Sequence, residues 1–111
     1  MRRVNELKIS PHFLLMDFQC RCCEQVKIHP DLLEKMEILW EKTKGGFVIT
    51  SGYRCEKHNM EVGGVKNSRH TMGRACDITA KNLKEVYEIV KSLGFRYCKI
   101  DEGKRYIHME V

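Results

Sequence analysis

The sequence predicts an α+β domain, with a small, mainly antiparallel sheet and helices packed on one face of that sheet. Two segments with helical periodicity, 29–46 and 82–94, alternate with short β-favouring runs. The last two of these runs are adjacent and flank a turn, which is typical of an antiparallel hairpin and disfavours a purely parallel sheet. With 111 residues and no repeat or linker, the chain suits a single domain with one modest core, which we place at 1–111.

The first part of the chain shows two helical patterns. A short helix is expected over 9–18, because Ser10 is a suitable N-cap and Pro11 suits the first helical position. The pattern in 29–46 is clearer, because apolar residues recur at steps of three and four and Gly45–Gly46 end the run. We therefore expect the second helix to bury an apolar stripe in the core.

The rest of the chain alternates between β-favouring and helical patterns. The β-branched run 47–54 predicts a short buried strand, and the stretch 55–72, punctuated by glycine and asparagine, predicts an ordered loop that can include one helical turn. A second strand is expected over 75–80 and an amphipathic helix over 82–94. The segment 95–111 predicts a hairpin of two strands around a turn.

Composition and charge narrow the classes of function. Apolar residues make up 42% of the chain and charged residues 32%, which is typical of a folded protein, and no apolar run is long enough to cross a bilayer. The formal net charge is +5, but the basic residues are scattered and show no signature of a nucleic-acid binder. We therefore expect neither a nucleic-acid partner nor membrane insertion, and we expect a monomer.

The chain carries six cysteines, three of which, Cys20, Cys22 and Cys23, lie close together in sequence. Residues 1–10 begin with basic side chains but lack the apolar stretch of a signal peptide, so we expect synthesis in the cytoplasm, where disulfides are rare. The three cysteines can hold a metal ion if Cys55 or a histidine lies close in the fold. The other interpretation, which the sequence alone favours, is that the cysteines are small buried apolar residues.

Three side chains with metal-binding chemistry, His70, Asp77 and His108, fall in or beside the predicted strands. Because side chains alternate along a strand, His108 and Glu110 share one face of the last strand, opposite its apolar residues. Asp77 is likewise expected to point away from the apolar side chains of its own strand. Two imidazoles and a carboxylate are a common ligand set for catalytic zinc, which leaves a fourth position open. The spacing alone also allows ordinary surface or core roles.

A longer pattern strengthens the case for a metal site. The stretches "SGYRCEKHN", "VGGVKNSRHTMGRACDI" and "YIHMEV" together resemble the zinc D-Ala-D-Ala metallopeptidases, which share a fold with the hedgehog signalling domain. The shared pattern is an SGYR-type strand end at 51–54, then SxHxxGxAxD at 68–77, then a late strand histidine, His108. The opening "LKISPHFLLMDFQCRCC" also resembles small single-domain members, so the resemblance covers nearly the whole chain. It implies a hedgehog/DD-peptidase-like fold.

The resemblance assigns roles to individual residues of this sequence. It implies one catalytic zinc ion held by His70, Asp77 and His108. It also implies that Arg54 binds a carboxylate of the substrate, which suits a planar guanidinium. Ser68 is expected to hydrogen-bond near the ligand loop or to the substrate.

The catalytic carboxylate is less well defined by the resemblance. Several relatives have an acid three residues before the last zinc histidine, where this chain has Arg105, which cannot act as a base near neutral pH. Other members have a glutamate six residues before it, which is Glu102 here. We therefore rank Glu102 first as the catalytic carboxylate, Glu110 second and Asp101 third.

The resemblance implies a zinc-dependent peptidase that cleaves D-amino-acid-containing bonds in peptidoglycan stem or cross-bridge peptides, as a carboxypeptidase or an endopeptidase. Small size and the expected lack of a signal peptide suit a phage or prophage lysis enzyme, an endolysin that reaches the cell wall after host lysis or permeabilisation. The alternative is a catalytically inactive binding module of the same fold that is stabilised by zinc.

Overall fold

The structure, a computed structural model, describes residues 4–111. These residues form six strands: β1 Lys8–Ser10, β2 Phe13–Leu14, β3 Val48–Ser51, β4 Ala75–Thr79, β5 Tyr97–Asp101 and β6 Tyr106–Glu110. They also form three α-helices, α1 Pro30–Thr43, α2 Glu56–Glu61 and α3 Leu83–Ser92, and short 3₁₀ turns at Val4–Glu6, Leu15–Phe18 and Arg69–Met72. None of the helices in this part of the chain combines the length and apolar character needed to cross a membrane. The basic start at Arg2 and Arg3 lies outside the described residues.

The main sheet has the strand order β3-β4-β6-β5, and each neighbouring pair is antiparallel. The strands β1 and β2 form a separate small antiparallel pair. This arrangement confirms the predicted α+β class and the hairpin of β5 and β6. The central pair, β4 and β6, joins strands that are separated in sequence by α3 and β5.

The core lies on one face of the sheet. Alternate residues of β4 and β6 are fully buried there and pack against apolar residues of α1 and α3. The strand residues of this core are Cys76, Ile78, Ile107 and Met109, and the helical ones are Leu32, Met36, Leu39, Leu83, Val86 and Val90. Because β-strand side chains alternate, the neighbouring residues Asp77 and His108 point to the opposite face, where they are directly cross-strand partners.

The single helix predicted over 9–18 is wrong, because this segment contains the end of β1, a sharp turn after Ser10, β2 and the 3₁₀ turn Leu15–Phe18. The polar groups of the turn bind α1 instead of capping a local helix. Glu37 accepts hydrogen bonds from the Ser10 hydroxyl at 3.3 Å and from the His12 amide at 2.8 Å. Serine and proline suit turns as well as helix starts. Here the hydrogen bonds to the distant Glu37 carboxylate favour the turn.

The strand predicted in 47–54 is confirmed as β3, but its predicted burial is wrong. Among residues 4–111, β3 is an edge strand that pairs with β4 alone, and Val48 remains 63% exposed. A β-branched run indicates a strand, but its burial depends on the position of that strand in the sheet.

The residue after β3, Gly52, lies against the backbone of Phe18. A Cβ atom on Gly52 would come within 2.7 Å of the Phe18 Cα and carbonyl oxygen. We expect Gly52→Ala to lower the free energy of unfolding by about 1–3 kcal/mol, because one of the two backbones must shift. In Gly103→Ala, the nearest atom would be Asp101 Oδ1 at an ordinary 3.5 Å. That control should stay within about 0.5 kcal/mol of the parent in urea unfolding; equal losses would contradict the close approach.

Candidate metal centre

Three different elements bring His70, Asp77 and His108 together. His70 lies on the 3₁₀ turn Arg69–Met72, where the Ser68 hydroxyl accepts a hydrogen bond from the His70 amide at 3.2 Å. Asp77 and His108 are cross-strand partners on β4 and β6. One ligand atom from each of the three side chains lies within 4.8 Å of the others. We call these three residues the metal group.

The turn that carries His70 depends on Gly73, which has a φ of +70°. A Cβ atom there would also come within 2.7 Å of the Lys27 backbone. Glycine adopts this left-handed conformation without steric cost. It therefore allows the chain to pass from the His70 turn directly into β4, which carries Asp77.

The side chains of the metal group are in close contact. The Asp77 Oδ1 atom lies 2.7 Å from His108 Nδ1 and 3.2 Å from His70 Nε2. His70 is 2% exposed and Asp77 is 9% exposed, so both are largely shielded from bulk water. All three side chains of the metal group nevertheless line one surface cavity.

The hydrogen-bond partners of the two imidazoles define their tautomers. His70 Nδ1 lies 2.7 Å from the Gly52 carbonyl oxygen, which can only accept, so Nδ1 carries a proton and the Nε2 lone pair faces Asp77. His108 Nε2 lies 3.0 Å from Glu110 Oε1, so the same reasoning directs the Nδ1 lone pair towards Asp77. Two nitrogen lone pairs and a carboxylate oxygen thus converge. These atoms repel one another unless a proton or a metal ion lies between them.

The pKa values of Asp77 and His108 reflect the close contact between the two side chains. Burial alone would raise the pKa of Asp77, but its close contacts with the His108 and His70 rings hold that pKa well below its usual value. Burial alone would lower the pKa of His108, but the carboxylates of Asp77 and Glu110 stabilise the protonated ring, which can donate to both, and raise the pKa overall. An ionised carboxylate beside two imidazoles fits zinc, which can replace the shared proton.

Arg54 supports the metal group from one side. Its Nη2 donates to Asp77 Oδ2 at 3.2 Å, its Nη1 to Asn59 Oδ1 at 3.0 Å, and its Nε to Ser51 Oγ at 3.1 Å. These bonds leave one N–H on each terminal nitrogen of the guanidinium. Asn59 is itself buried and donates to the Val65 carbonyl, so the guanidinium is held in a fixed orientation.

Glu110 supports the metal group from another side. One of its carboxylate oxygens binds His108, and the other lies 3.1 Å from Arg69 Nε and 3.0 Å from Arg96 Nη1. Neither of these two arginines was predicted as a site residue from the sequence. Arg69 precedes His70 directly, but Arg96 becomes a partner of Glu110 only through the pairing of β5 with β6, which leaves no local sequence signal.

The metal group opens into a cavity of about 590 Å³. Its walls include Arg54, Ser68, Lys99, Lys104 and Tyr106. Among the lining residues described in 4–111, the carboxylates are Asp77 and Glu110. The cavity therefore combines a metal group at its base with several cationic side chains around it.

Two of the three candidate catalytic carboxylates lie away from this cavity. Glu102 is at the tip of the β5–β6 hairpin, where Oε1 lies 3.3 Å from Lys84 Nζ of α3. Asp101 Oδ1 accepts a hydrogen bond from the Lys104 amide at 2.9 Å. Arg105, at the position where several relatives have an acid, donates to the Ala80 carbonyl at 2.8 Å.

A second group of potential ligands consists of Cys20, Cys22, Cys23 and Cys55, whose sulfur atoms lie within 4.8 Å of one another. The fold thus brings Cys55 to the three cysteines that are close in sequence. Cys76 lies in the core instead, fully buried, and burial raises the pKa of its thiol well above the usual value.

A comparison with family models gives a match over nearly the whole chain. The model described as Peptidase M15 matches residues 11–110, a span that includes every residue of the metal group. Neither the curated proteins nor the solved structures give a significant match.

Proposed function

The chain belongs to the peptidase M15 family, and on that premise we propose that it is a zinc-dependent peptidase that cleaves D-amino-acid-containing bonds of bacterial peptidoglycan. The observation that carries the proposal is the convergence of His70, Asp77 and His108 at the base of an open cavity. The chemistry supplied by a bound zinc ion is Lewis acidity, which polarises a carbonyl group and acidifies water.

Cationic side chains of the cavity suit the acidic stem or cross-bridge peptides of peptidoglycan. Arg54 has one N–H left on each terminal nitrogen, which allows it to bind a substrate carboxylate while it holds Asp77. Lys99 and Lys104 add positive charge to the wall and raise the local concentration of anionic peptides. Ser68 is a further polar contact at the cavity wall, next to His70.

We propose Glu110 as the carboxylate on which catalysis depends, ahead of Glu102, the first choice from sequence. Glu110 binds His108 Nε2 and so orients the ring with Nδ1 towards Asp77. Among residues 4–111, Glu110 is also the one carboxylate that lines the cavity without belonging to the metal group. Glu102 would have to leave Lys84 and reach in from the hairpin tip.

Paired glutamine variants test this assignment. We expect Glu110→Gln to lower kcat by about 10²–10⁴-fold, the range typical of a lost acid–base or orienting carboxylate. Glu102→Gln should stay within a factor of a few of the parent. Zinc content and hydrolysis are measured on both variants. A large loss in Glu102→Gln with an active Glu110→Gln would return the role to the hairpin tip.

The activity itself is tested on purified cell walls. The protein should release new amino groups from the walls, lose this activity with a chelator and regain it with added zinc. Mass spectrometry of the products separates a carboxypeptidase, which releases a single terminal residue, from an endopeptidase, which releases longer fragments. Release that is indifferent to the chelator would refute the proposal.

We also propose that the protein acts in lysis by a phage or prophage and reaches the wall once the membrane has been permeabilised. The net charge of +5 suits an anionic cell wall. Expression in bacteria should leave cultures intact until a membrane-permeabilising protein is co-expressed. Lysis without such a protein would contradict this place of action.

A second candidate function is a binding module that keeps zinc but does not catalyse. The observation in its favour is that the two carboxylates that line the cavity in the described part of the chain are already engaged, Asp77 in the metal group and Glu110 with His108 and two arginines. The double variant Glu102→Gln and Glu110→Gln discriminates between the two functions. Retained zinc with no change in hydrolysis would favour the binding module.

A further inference from the structure

The sulfur atoms of Cys20, Cys22, Cys23 and Cys55, the cysteine cluster, have the spacing of a metal site. The separations are 3.6 Å from Cys20 to Cys22, 3.7 Å from Cys20 to Cys55 and 3.3 Å from Cys22 to Cys55. In a tetrahedral site with zinc–sulfur bonds of about 2.3 Å, neighbouring sulfur atoms lie about 3.8 Å apart. The cluster therefore needs only small shifts to surround a zinc ion.

The backbone arranges the first three cysteines as a compact turn. The Cys20 amide donates to the Gln25 carbonyl at 2.7 Å, and the Glu24 amide donates to the Cys20 carbonyl at 3.0 Å. This turn buries Cys20 completely while Cys22 and Cys23 remain exposed. The interpretation of these cysteines as small buried apolar residues is therefore wrong for the exposed pair.

Backbone amides point at two of the sulfur atoms. The Cys55 amide donates to Cys20 Sγ and the His58 amide donates to Cys55 Sγ, each at 3.4 Å. Hydrogen bonds of this kind stabilise the thiolate, which is the form that binds metals. They indicate that the sulfur atoms serve as ligands in addition to filling space.

We propose that the cysteine cluster binds one zinc ion through all four thiolates, as a closed structural site. Four protein ligands leave no position for water, so this site takes no part in hydrolysis. Soft thiolates in tetrahedral arrangement select zinc over hard cations such as magnesium or calcium. The proposal goes beyond the peptidase activity and does not depend on it.

The position of the cysteine cluster suggests what a zinc ion there would stabilise. Cys55 directly follows Arg54, and Gly52, whose carbonyl binds His70, is three residues before it. The Tyr53 amide donates to the Phe18 carbonyl at 2.8 Å, which already joins the segment 52–55 to the segment just before the cysteine cluster. A zinc ion would add a second connection between the same two segments. It would thereby hold in place the segment 52–55, whose residues Gly52 and Arg54 bind His70 and Asp77.

Zinc content per chain, measured by mass spectrometry on the full-length protein purified with reductant, tests the proposal. We expect two zinc ions in the parent, one in Cys22→Ser and one in His70→Ala. Cys98→Ala, which alters a half-buried cysteine of β5 outside the cluster, should keep both. A parent with one zinc ion that is lost in Cys22→Ser but kept in His70→Ala would support the cluster and count against the peptidase site.

Cobalt substitution and thiol modification provide a test that does not require a stable cysteine variant. The cobalt-loaded parent and cobalt-loaded His70→Ala should both show the intense near-ultraviolet absorption of thiolate coordination. A mercurial reagent that modifies the thiols should release one zinc ion from the native parent. Zinc content unchanged by Cys22→Ser or by the mercurial, iron in place of zinc, or a disulfide within the cluster would overturn the proposal.

Discussion

Replacing His70 by alanine is expected to remove zinc from the metal group and to lower kcat/KM on peptidoglycan peptides by roughly 10³-fold or more. His70 supplies one of three ligand atoms, and its ring is fixed by a 2.7 Å hydrogen bond to Gly52. The remaining aspartate and histidine cannot close the coordination sphere of a tightly bound zinc ion. The measurements are zinc per chain and the rate of peptide release.

A matched control for this variant is His58→Ala. His58 lies on α2, where its ring is 4.0 Å from Glu61, and it does not belong to the metal group. This variant should retain zinc and activity, and circular dichroism should show that both variants are folded. If His70→Ala cleaved as fast as the parent, the metal group would not be the catalytic centre.

The second large effect is expected for Arg54→Lys. The ammonium group of lysine can bind Asp77 or a substrate carboxylate, but its point charge cannot replace the several directed bonds of the guanidinium. Loss of a charged hydrogen bond of about 1.5–3 kcal/mol corresponds to roughly a 10–100-fold rise in KM. The measurement is kcat and KM on a peptide with a free carboxylate and on its amidated analogue.

The comparison of the two substrates separates the two roles of Arg54. If Arg54 binds the substrate carboxylate, the variant should lose affinity for the free acid and change little on the amide. Equal losses on both would mean that the guanidinium acts only by positioning Asp77. Arg105→Lys is the control, since Arg105 donates to the Ala80 carbonyl and does not line the cavity.

Elements with strong periodicity were predictable from the sequence. The helix α1 follows from apolar residues at steps of three and four, and the β5–β6 hairpin from two alternating runs around a turn. The same alternation predicts that Asp77 and His108 leave the apolar face, and the structure makes them cross-strand partners. These features depend on local sequence, which explains why they could be found there.

Features that depend on distant contacts were not predictable in the same way. The segment 9–18 forms a turn because Glu37 binds its polar groups, and the order of strands in the sheet exposes β3. The contact of Glu110 with Arg96 forms because β5 pairs with β6, so the local sequence around Glu110 does not indicate it. Likewise, only the folded chain determines that Glu102 faces Lys84 and that Cys55 joins the other cysteines.

Because Asp77 and His108 are cross-strand partners, the hydrogen bonds between β4 and β6 fix the distance between these two ligands. The length of the chain between them does not. Insertions or deletions at the hairpin tip, 102–104, should therefore leave metal affinity intact. One extra residue within β6 would instead rotate His108 into the core. Evolution can thus change the rim of the cavity to suit new substrates while the metal group stays constant. For the same reason, longer β5–β6 hairpin tips can be engineered into this fold.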